Sequence, residues 1–133
     1  MKMKEAAVRC LMILSLCAGA AMLLSACGLK IENTGAVKEA EELAINCKTD
    51  EALAALDRAK GEMSIAAAIA DLQRVVILRD AGRTAEADAA MAERNTRWKA
   101  DAKNADDAEK SVAQSVEQMR AERQKRTGRR TFE

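Results

Sequence analysis

The chain has 133 residues, enough for one small domain, and its 22 basic and 21 acidic side chains leave a formal net charge of +1. This balance indicates no polyanion, and in particular no nucleic acid, as a partner. The sequence holds no histidine and no tyrosine. A Ser–His or Cys–His catalytic couple therefore cannot be assembled, and we predict that the protein is not an enzyme. Abundant alanine and few β-branched residues predict an all-α fold.

The first 26 residues have the layout of a secretory signal. Three basic residues and one acid open the segment, and residues 10–26 form a run of 17 residues without charge. Such a run is at the short edge of the roughly 17–25 residues that a membrane-spanning helix needs. The alternatives are an uncleaved membrane anchor and a plain secretory signal that is cut after Ala26.

The uncharged run ends in Leu24-Ser25-Ala26-Cys27, followed by Gly28. An apolar residue, two small residues and a cysteine in this order resemble the lipobox of bacterial lipoproteins. The resemblance implies that a lipid is attached to the Cys27 sulfur and that a dedicated peptidase cuts between Ala26 and Cys27. It implies a protein held to the membrane through acylated Cys27. Because Gly28 and not aspartate follows the cysteine, it also implies sorting to the outer membrane if the cell has two membranes, and there we expect the protein to face the periplasm.

The use of cysteine agrees with this interpretation. Cys10 and Cys17 lie in the segment that would be removed, and Cys27 would carry lipid, which leaves Cys47 as the one free thiol. A single thiol cannot form an internal disulfide. The cysteines also lack the spacing of metal ligands. We therefore expect no metal and no cofactor besides the covalent lipid on Cys27.

Residues 27–35 are predicted to be a tether between the lipid and a folded domain. They contain Gly28 and Gly35 and show no helical period. Glycines without a period are typical of a flexible connection. Asn33 or Thr34 is placed to cap the helix that follows.

Four helices are predicted after the tether, because apolar residues recur three and four apart. They cover about residues 36–47, 50–60 and 62–81 and a segment from Thr84 onward. The third is the most apolar, so we expect it to be the buried centre of the domain. Its predicted buried face consists of Ile65, Ile69, Leu72 and Val76.

An internal repeat relates these helices. Residues 43–59 align with residues 78–94 at a separation of 35, so that Thr49 matches Thr84 and Ala52 matches Ala87. The period and the second copy's Gly-x-x-x-Glu-Ala turn at residues 82–87 resemble the tetratricopeptide repeat. The resemblance implies a small stack of helical hairpins over residues 36–97. A plain helical bundle is the alternative.

A long amphipathic helix is predicted over residues 98–126, which contain no glycine. It has a narrow apolar stripe at steps of four and three, made by Trp98, Ala102, Ala105, Val112, Val116 and Met119. The helix either folds back over the hairpins as a cap or extends as a coiled-coil arm. We interpret Trp98 as a packing anchor where this helix meets the hairpins.

The C-terminal end is basic, and residues 127–133 are predicted to be a flexible tail. Residues 120–130 contain a single acidic residue, Glu122. The basic residues of this region are Arg120, Arg123, Lys125, Arg126, Arg129 and Arg130. One interpretation is a solvated helix end whose cations suit the negative end of the helix dipole. The other is a contact patch for anionic lipid head groups or an acidic partner.

Two classes of function fit these features. In the first, a lipid-anchored adaptor binds another envelope protein through the groove of its hairpins. In the second, a structural spacer in the envelope self-associates through its long helix into a homo-oligomer. The repeat favours the adaptor, which we expect, and the apolar stripe favours the spacer.

Overall fold

The computed structural model describes residues 34–59 and 63–132, and this part of the chain is built from helices without a strand. The helices are α1 (Thr34–Ile45), α2 (Thr49–Asp57), α3 (Ile65–Asp80), α4 (Thr84–Arg97) and α5 (Ala102–Thr127). The predicted all-α class and the long C-terminal helix are confirmed. The predictions for the signal, for Cys27 and for Asn33 as a cap lie outside the described residues. None of the described helices combines the length and apolar character needed to cross a membrane.

The same kind of turn ends α1, α3 and α4. At its centre the backbone is left-handed, with φ of 61° at Cys47, 73° at Gly82 and 48° at Lys99. In each turn the next backbone N–H donates to the carbonyl oxygen five residues earlier, over 2.8–2.9 Å. This is the Schellman arrangement, which satisfies carbonyl groups at the end of a helix. Cys47 and Gly82 are 35 residues apart, so the sequence repeat is also a repeat of backbone geometry.

Equivalent positions after the first two turns are buried alike. Ala52 in α2 and Ala87 in α4 are both inaccessible to solvent, and Leu56 and Met91 are both buried. Each small residue allows the helices of its hairpin to approach closely, and each large residue fills the space one turn later. The helices α1 with α2, and α3 with α4, therefore form two consecutive hairpins.

Ion pairs fix how α2 and α3 lie beside each other. At one end, Arg83 donates from Nη1 to Asp50 Oδ1 over 2.7 Å. At the other, Arg74 is hydrogen bonded to Asp57 and reaches the last turns of α2. The two helices are therefore antiparallel, and the end of α2 lies beside the middle of α3. The first turns of α3 extend past α2.

The predicted buried face of α3 was wrong for two of its four residues. The side chains of Ile65 and Ile69 are 67% and 43% exposed, whereas Leu72 is half-buried and Val76 is buried. Their exposure follows from the extension of α3 beyond its neighbour, which leaves one side of its first turns uncovered. The expectation that this helix is the buried centre of the domain holds for the C-terminal half of α3 only. Its buried apolar side chains there are Val75, Val76, Ile77 and Leu78.

Helix α5 folds back onto the hairpins, where it packs against α3 and α1. It begins at Ala102 and not at Trp98, because the side chain of Asp101 caps it by accepting from the Asn104 N–H over 2.8 Å. Its buried apolar stripe consists of Ala108, Val112, Val116 and Met119. Of the two predicted arrangements, the cap is the one observed.

Trp98 anchors α4 to α3 and does not lie in α5. Its indole Nε1–H donates to Asp71 Oδ2 over 2.8 Å, and the Arg97 guanidinium lies 5.4 Å from the centre of its ring. Asp71 belongs to the second turn of α3, so the end of α4 is fixed beside this turn. The prediction that Trp98 joins the long helix to the hairpins was wrong in its position, because Trp98 follows α4 and bonds to α3, where it closes the second hairpin.

Candidate functional site

A buried ion pair lies where α1, α3 and α5 meet. The side chains of Arg123 and Asp80 are 0% and 1% exposed. Arg123 Nη2 is hydrogen bonded to Asp80 Oδ2, and Nη1 donates to Oδ1 over 3.3 Å. A planar guanidinium matches a carboxylate in this two-point geometry. The pair joins the end of α3 to the C-terminal half of α5.

Arg123 also satisfies the end of α1. It donates from Nε to the carbonyl oxygen of Ile45 over 3.2 Å and from Nη2 to that of Ala44 over 3.1 Å. These carbonyls belong to the last turn of a helix, where they lack the usual partner within the helix, and that of Ala44 also accepts from the Cys47 N–H over 3.0 Å. A further bond goes to the Arg130 carbonyl over 3.0 Å, and the Phe132 ring lies 4.8 Å from the guanidinium carbon. From α5, one side chain therefore contacts α1, α3 and the C-terminal tail.

A surface groove of about 490 Å³ lies beside this ion pair. Its apolar lining includes Val76 and Met119, which precede Asp80 and Arg123 by one helical turn. The complete lining comes from α1, α3 and α5 and consists of Glu41, Gln73, Val76, Ser115, Gln118, Met119, Ala121, Glu122, Lys125 and Arg126. The volume is in the range of ligand sites, but most of these side chains are polar.

Charged groups line one side of the groove. Arg126 donates from Nη1 to Glu42 Oε2 and from Nε to Glu122 Oε1, each over 2.7 Å. The hydrogen bond from Arg126 lowers the pKa of Glu122, and the bonds to Glu42 and Glu122 raise the pKa of Arg126. This side of the groove therefore keeps both signs of charge at neutral pH.

The groove offers both hydrogen-bonding and apolar groups. Gln73, Gln118 and Ser115 offer amide and hydroxyl groups that both donate and accept hydrogen bonds. Val76 and Met119 offer apolar contact to a side chain. Among the described residues, no group of three or more Cys, Asp or Glu side chains is arranged to hold a metal ion. The groove therefore has the means to bind a peptide backbone with mixed side chains.

The structure does not bring the predicted basic residues together as one free patch. Arg123 is buried, so its assignment to a contact patch is corrected. Four others take part in ion pairs with carboxylates on α1, α3 and α5, and they are Arg120, Lys125, Arg126 and Arg130. Arg129 is exposed and has no ion pair among the described residues. The predicted lipidation and cleavage residues, Cys27 and Ala26, lie outside the described residues.

The Asp80–Arg123 pair was missed at the level of sequence, although a signal was present. Asp80 follows Val76 by four residues in α3, and Arg123 follows Met119 by four in α5. Each charge therefore continues the apolar stripe of its own helix. Opposite charges at the ends of two buried stripes indicate a buried ion pair.

No protein-family model, no curated protein and no solved structure matches the chain.

Proposed function

We propose that this protein is a lipoprotein of the bacterial cell envelope whose helical domain binds another envelope protein. The observation that carries the proposal is Leu24-Ser25-Ala26-Cys27, which resembles a lipobox and lies directly ahead of a folded domain. Acyl chains on Cys27 hold the protein to the bilayer, each buried methylene contributing about 0.8 kcal/mol. Gly28 favours the outer membrane, with the domain in the periplasm.

The groove between α1, α3 and α5 supports the adaptor and not the spacer. It has polar, charged and apolar groups within about 490 Å³. The apolar stripe of α5, on which the alternative of a self-associating spacer depends, is buried against α3 and α1 within one copy of the chain. A buried stripe is not available as a seam between copies. We therefore place the partner, a polypeptide segment of mixed polarity, in the groove.

Lipid attachment is tested with the full chain in a bacterium that has two membranes. A clickable palmitate analogue should label the protein, and Cys27→Ala should abolish the label and leave the signal uncut. Cys47→Ala is the matched control, because it removes the other thiol of the processed chain and should keep the label. An intact mass with an unmodified N-terminus at another residue would contradict the proposal.

Partner binding is tested by photo-crosslinking in intact cells. A photoreactive residue at Gln118 lines the groove, whereas one at Gln124 is exposed on another face of the same helix, outside the lining. We expect a protein adduct from position 118 and none from position 124. Gln73→Arg, which fills the groove with a larger side chain, should remove that adduct. The same adduct from both positions, or its persistence in Gln73→Arg, counts against the groove as the binding site.

A further inference from the structure

Three large apolar residues at the start of α3 are exposed to solvent. They are Met63, Ile65 and Ile69, and we call them the α3 patch. These three side chains are 66%, 67% and 43% exposed. Ile65 and Ile69 are four residues apart and lie on the same side of the helix. Single exposed apolar residues are common, but a cluster of large ones at a helix end indicates contact with something outside the domain.

The α3 patch lies at the end of the domain where the tether enters. Arg123 bonds both Ala44 and Asp80, so the ends of α1 and α3 lie side by side. From this point toward their N-terminal ends, α1 and α3 extend in the same direction, because each is antiparallel to α2. At 1.5 Å per residue, Thr34 is about 15 Å from Ala44, and Ile65 is about 22 Å from Asp80. The start of α3 therefore extends about 7 Å beyond the start of α1.

The end of α4 leaves the α3 patch uncovered as well. Trp98, which follows the last residue of α4, is bonded to Asp71 in the second turn of α3. Ile65 and Met63 precede Asp71 in the chain, so they lie beyond it at the N-terminal end of α3. Neither α2 nor α4 reaches past them, since Asp57 at the end of α2 is bonded to Arg74. Among the helices that the structure describes, the α3 patch thus lies beyond the ends of α2 and α4.

We infer that the α3 patch contacts the lipid bilayer to which the protein is anchored. This inference rests on the proposed acylation of Cys27. Seven peptide units join Cys27 to Thr34, and a fully extended chain of that length spans at most about 25 Å. The start of α1 is held within this distance of the lipid, and the projecting α3 patch is at the same end. Aliphatic side chains so placed enter the boundary between head groups and acyl chains.

The alternative to the bilayer as the partner of the α3 patch is a second copy of the chain. The size of the patch argues against this alternative. Three partly exposed side chains offer little area, whereas a stable interface between proteins buries roughly 1,200–2,000 Å² in total. A fluid lipid surface needs no complementary shape. The covalent anchor keeps the patch and the bilayer together, so that even weak insertion is sustained.

The test uses the full, acylated protein in vesicles of phosphatidylethanolamine and phosphatidylglycerol. In a Cys47→Ser background, a spin label is placed by Ile65→Cys or by Gln114→Cys, both at exposed positions. Oxygen concentrates in lipid and a neutral nickel complex stays in water, so their collision rates report which phase each label contacts. We expect the oxygen-to-nickel ratio to be severalfold higher at position 65 than at position 114.

The outcomes separate this inference from the proposed function. If intact mass shows no acyl chain on Cys27, the proposed function fails. If Cys27 is acylated and both labels collide equally with the nickel complex, the bilayer contact alone is overturned. Dipolar broadening between labels at position 65 that is absent at position 114 identifies a second copy as the occupant, and this too overturns the inference.

Discussion

Arg123 and Asp80 are 43 residues apart in the chain and form an ion pair that solvent does not reach. Each charge would be costly to bury alone, and the pair offsets this cost through two-point hydrogen bonding. Arg123 has further bonds to the last carbonyls of α1. This one guanidinium therefore contacts α1 and α3 from α5, beside the groove that lies between the three helices.

Removal of Arg123 should destabilise the domain strongly. Arg123→Met leaves Asp80 as a buried charge without its main partner, and losing one member of such a pair typically costs about 3–5 kcal/mol. Residues Ile31–Glu133 form one compact unit, so urea unfolding of fragment 28–133 gives the measurement. Arg129→Met, at an exposed position, is the matched control and should stay within about 0.5 kcal/mol. Equal midpoints for the two variants would show that Arg123 is solvated.

A second variant separates the pair from the other bonds of Arg123. Asp80→Leu combined with Arg123→Met removes both charges, so no unpaired charge stays buried. The double variant should be less destabilised than the sum of the two single variants, by roughly 0.5–3 kcal/mol of coupling. A thermodynamic cycle from urea unfolding measures this coupling. Strict additivity of the two single effects would mean that the side chains do not interact.

The turn that repeats at Cys47 and Gly82 should respond in opposite ways to two substitutions. Gly82→Ala places a side chain on a left-handed residue, which costs roughly 1–2 kcal/mol. No heavy atom lies near the added Cβ, so the cost is conformational. Cys47→Gly relieves the same strain in the first turn and should raise the thermal midpoint.

Gly35 provides the control for the turn substitutions. It is the second residue of α1 and is not among the described residues with a left-handed backbone, and a Cβ there also meets nothing within 4 Å. Gly35→Ala should therefore raise the thermal midpoint of fragment 28–133 slightly, since alanine is favoured over glycine by roughly 0.5–1 kcal/mol in the middle of a helix. Loss of stability in Gly35→Ala and Gly82→Ala alike would show that the backbone conformation at Gly82 is not the cause.

The sequence was sufficient to predict the helices and the repeat, because both depend on local spacing. Thr84 begins α4 as predicted, and Gly82 has the left-handed backbone that a glycine after a helix indicates. Local spacing does not reveal how far one helix extends past another. The exposure of Ile65 and Ile69 depends on that tertiary register and was missed. A prediction from the helical period also assigns charged residues to the solvent-facing side of a helix, and Arg123 was therefore predicted to lie on the surface.

Stability should depend on pH only in acid. The Arg83 guanidinium lowers the pKa of Glu86, and Arg126 lowers that of Glu122, in each case from an ordinary value of 4.5. Because the folded pKa is below the unfolded one, both pairs stabilise the protein above pH 4.5. This contribution is lost as pH falls through the folded values, where the unfolded chain binds more protons.

Thermal midpoints of fragment 28–133 between pH 7 and pH 2 measure this dependence. The chain has no histidine, so the midpoint should be level between about pH 6 and pH 7. Glu122→Gln should reduce the fall in acid. Glu93→Gln, at an exposed glutamate without an ion pair among the described residues, should leave it unchanged. A midpoint that falls equally in both variants would assign the acid sensitivity to other carboxylates.

Three truncations should rank the parts of the core. Leu56→Ala opens a cavity at a buried position in α2, and such changes typically cost about 2–5 kcal/mol. Trp98→Ala removes the hydrogen bond to Asp71 and half-buried packing, so its cost should be intermediate. Ile65→Ala should cost within about 0.5 kcal/mol, because two thirds of that side chain is exposed. Urea unfolding of fragment 28–133 supplies all three values.

The comparison of Ile65 with Leu56 has the greatest consequence. The apolar period of α3 alone predicts that Ile65 is buried, whereas the contacts of Arg74 and Trp98 place it beyond the neighbouring helices. A large loss of stability in Ile65→Ala would mean that the first turn of α3 is covered by the domain itself. The α3 patch would then not be free to meet the bilayer. A small loss, together with a large one in Leu56→Ala, leaves Ile65 available for contact outside the domain.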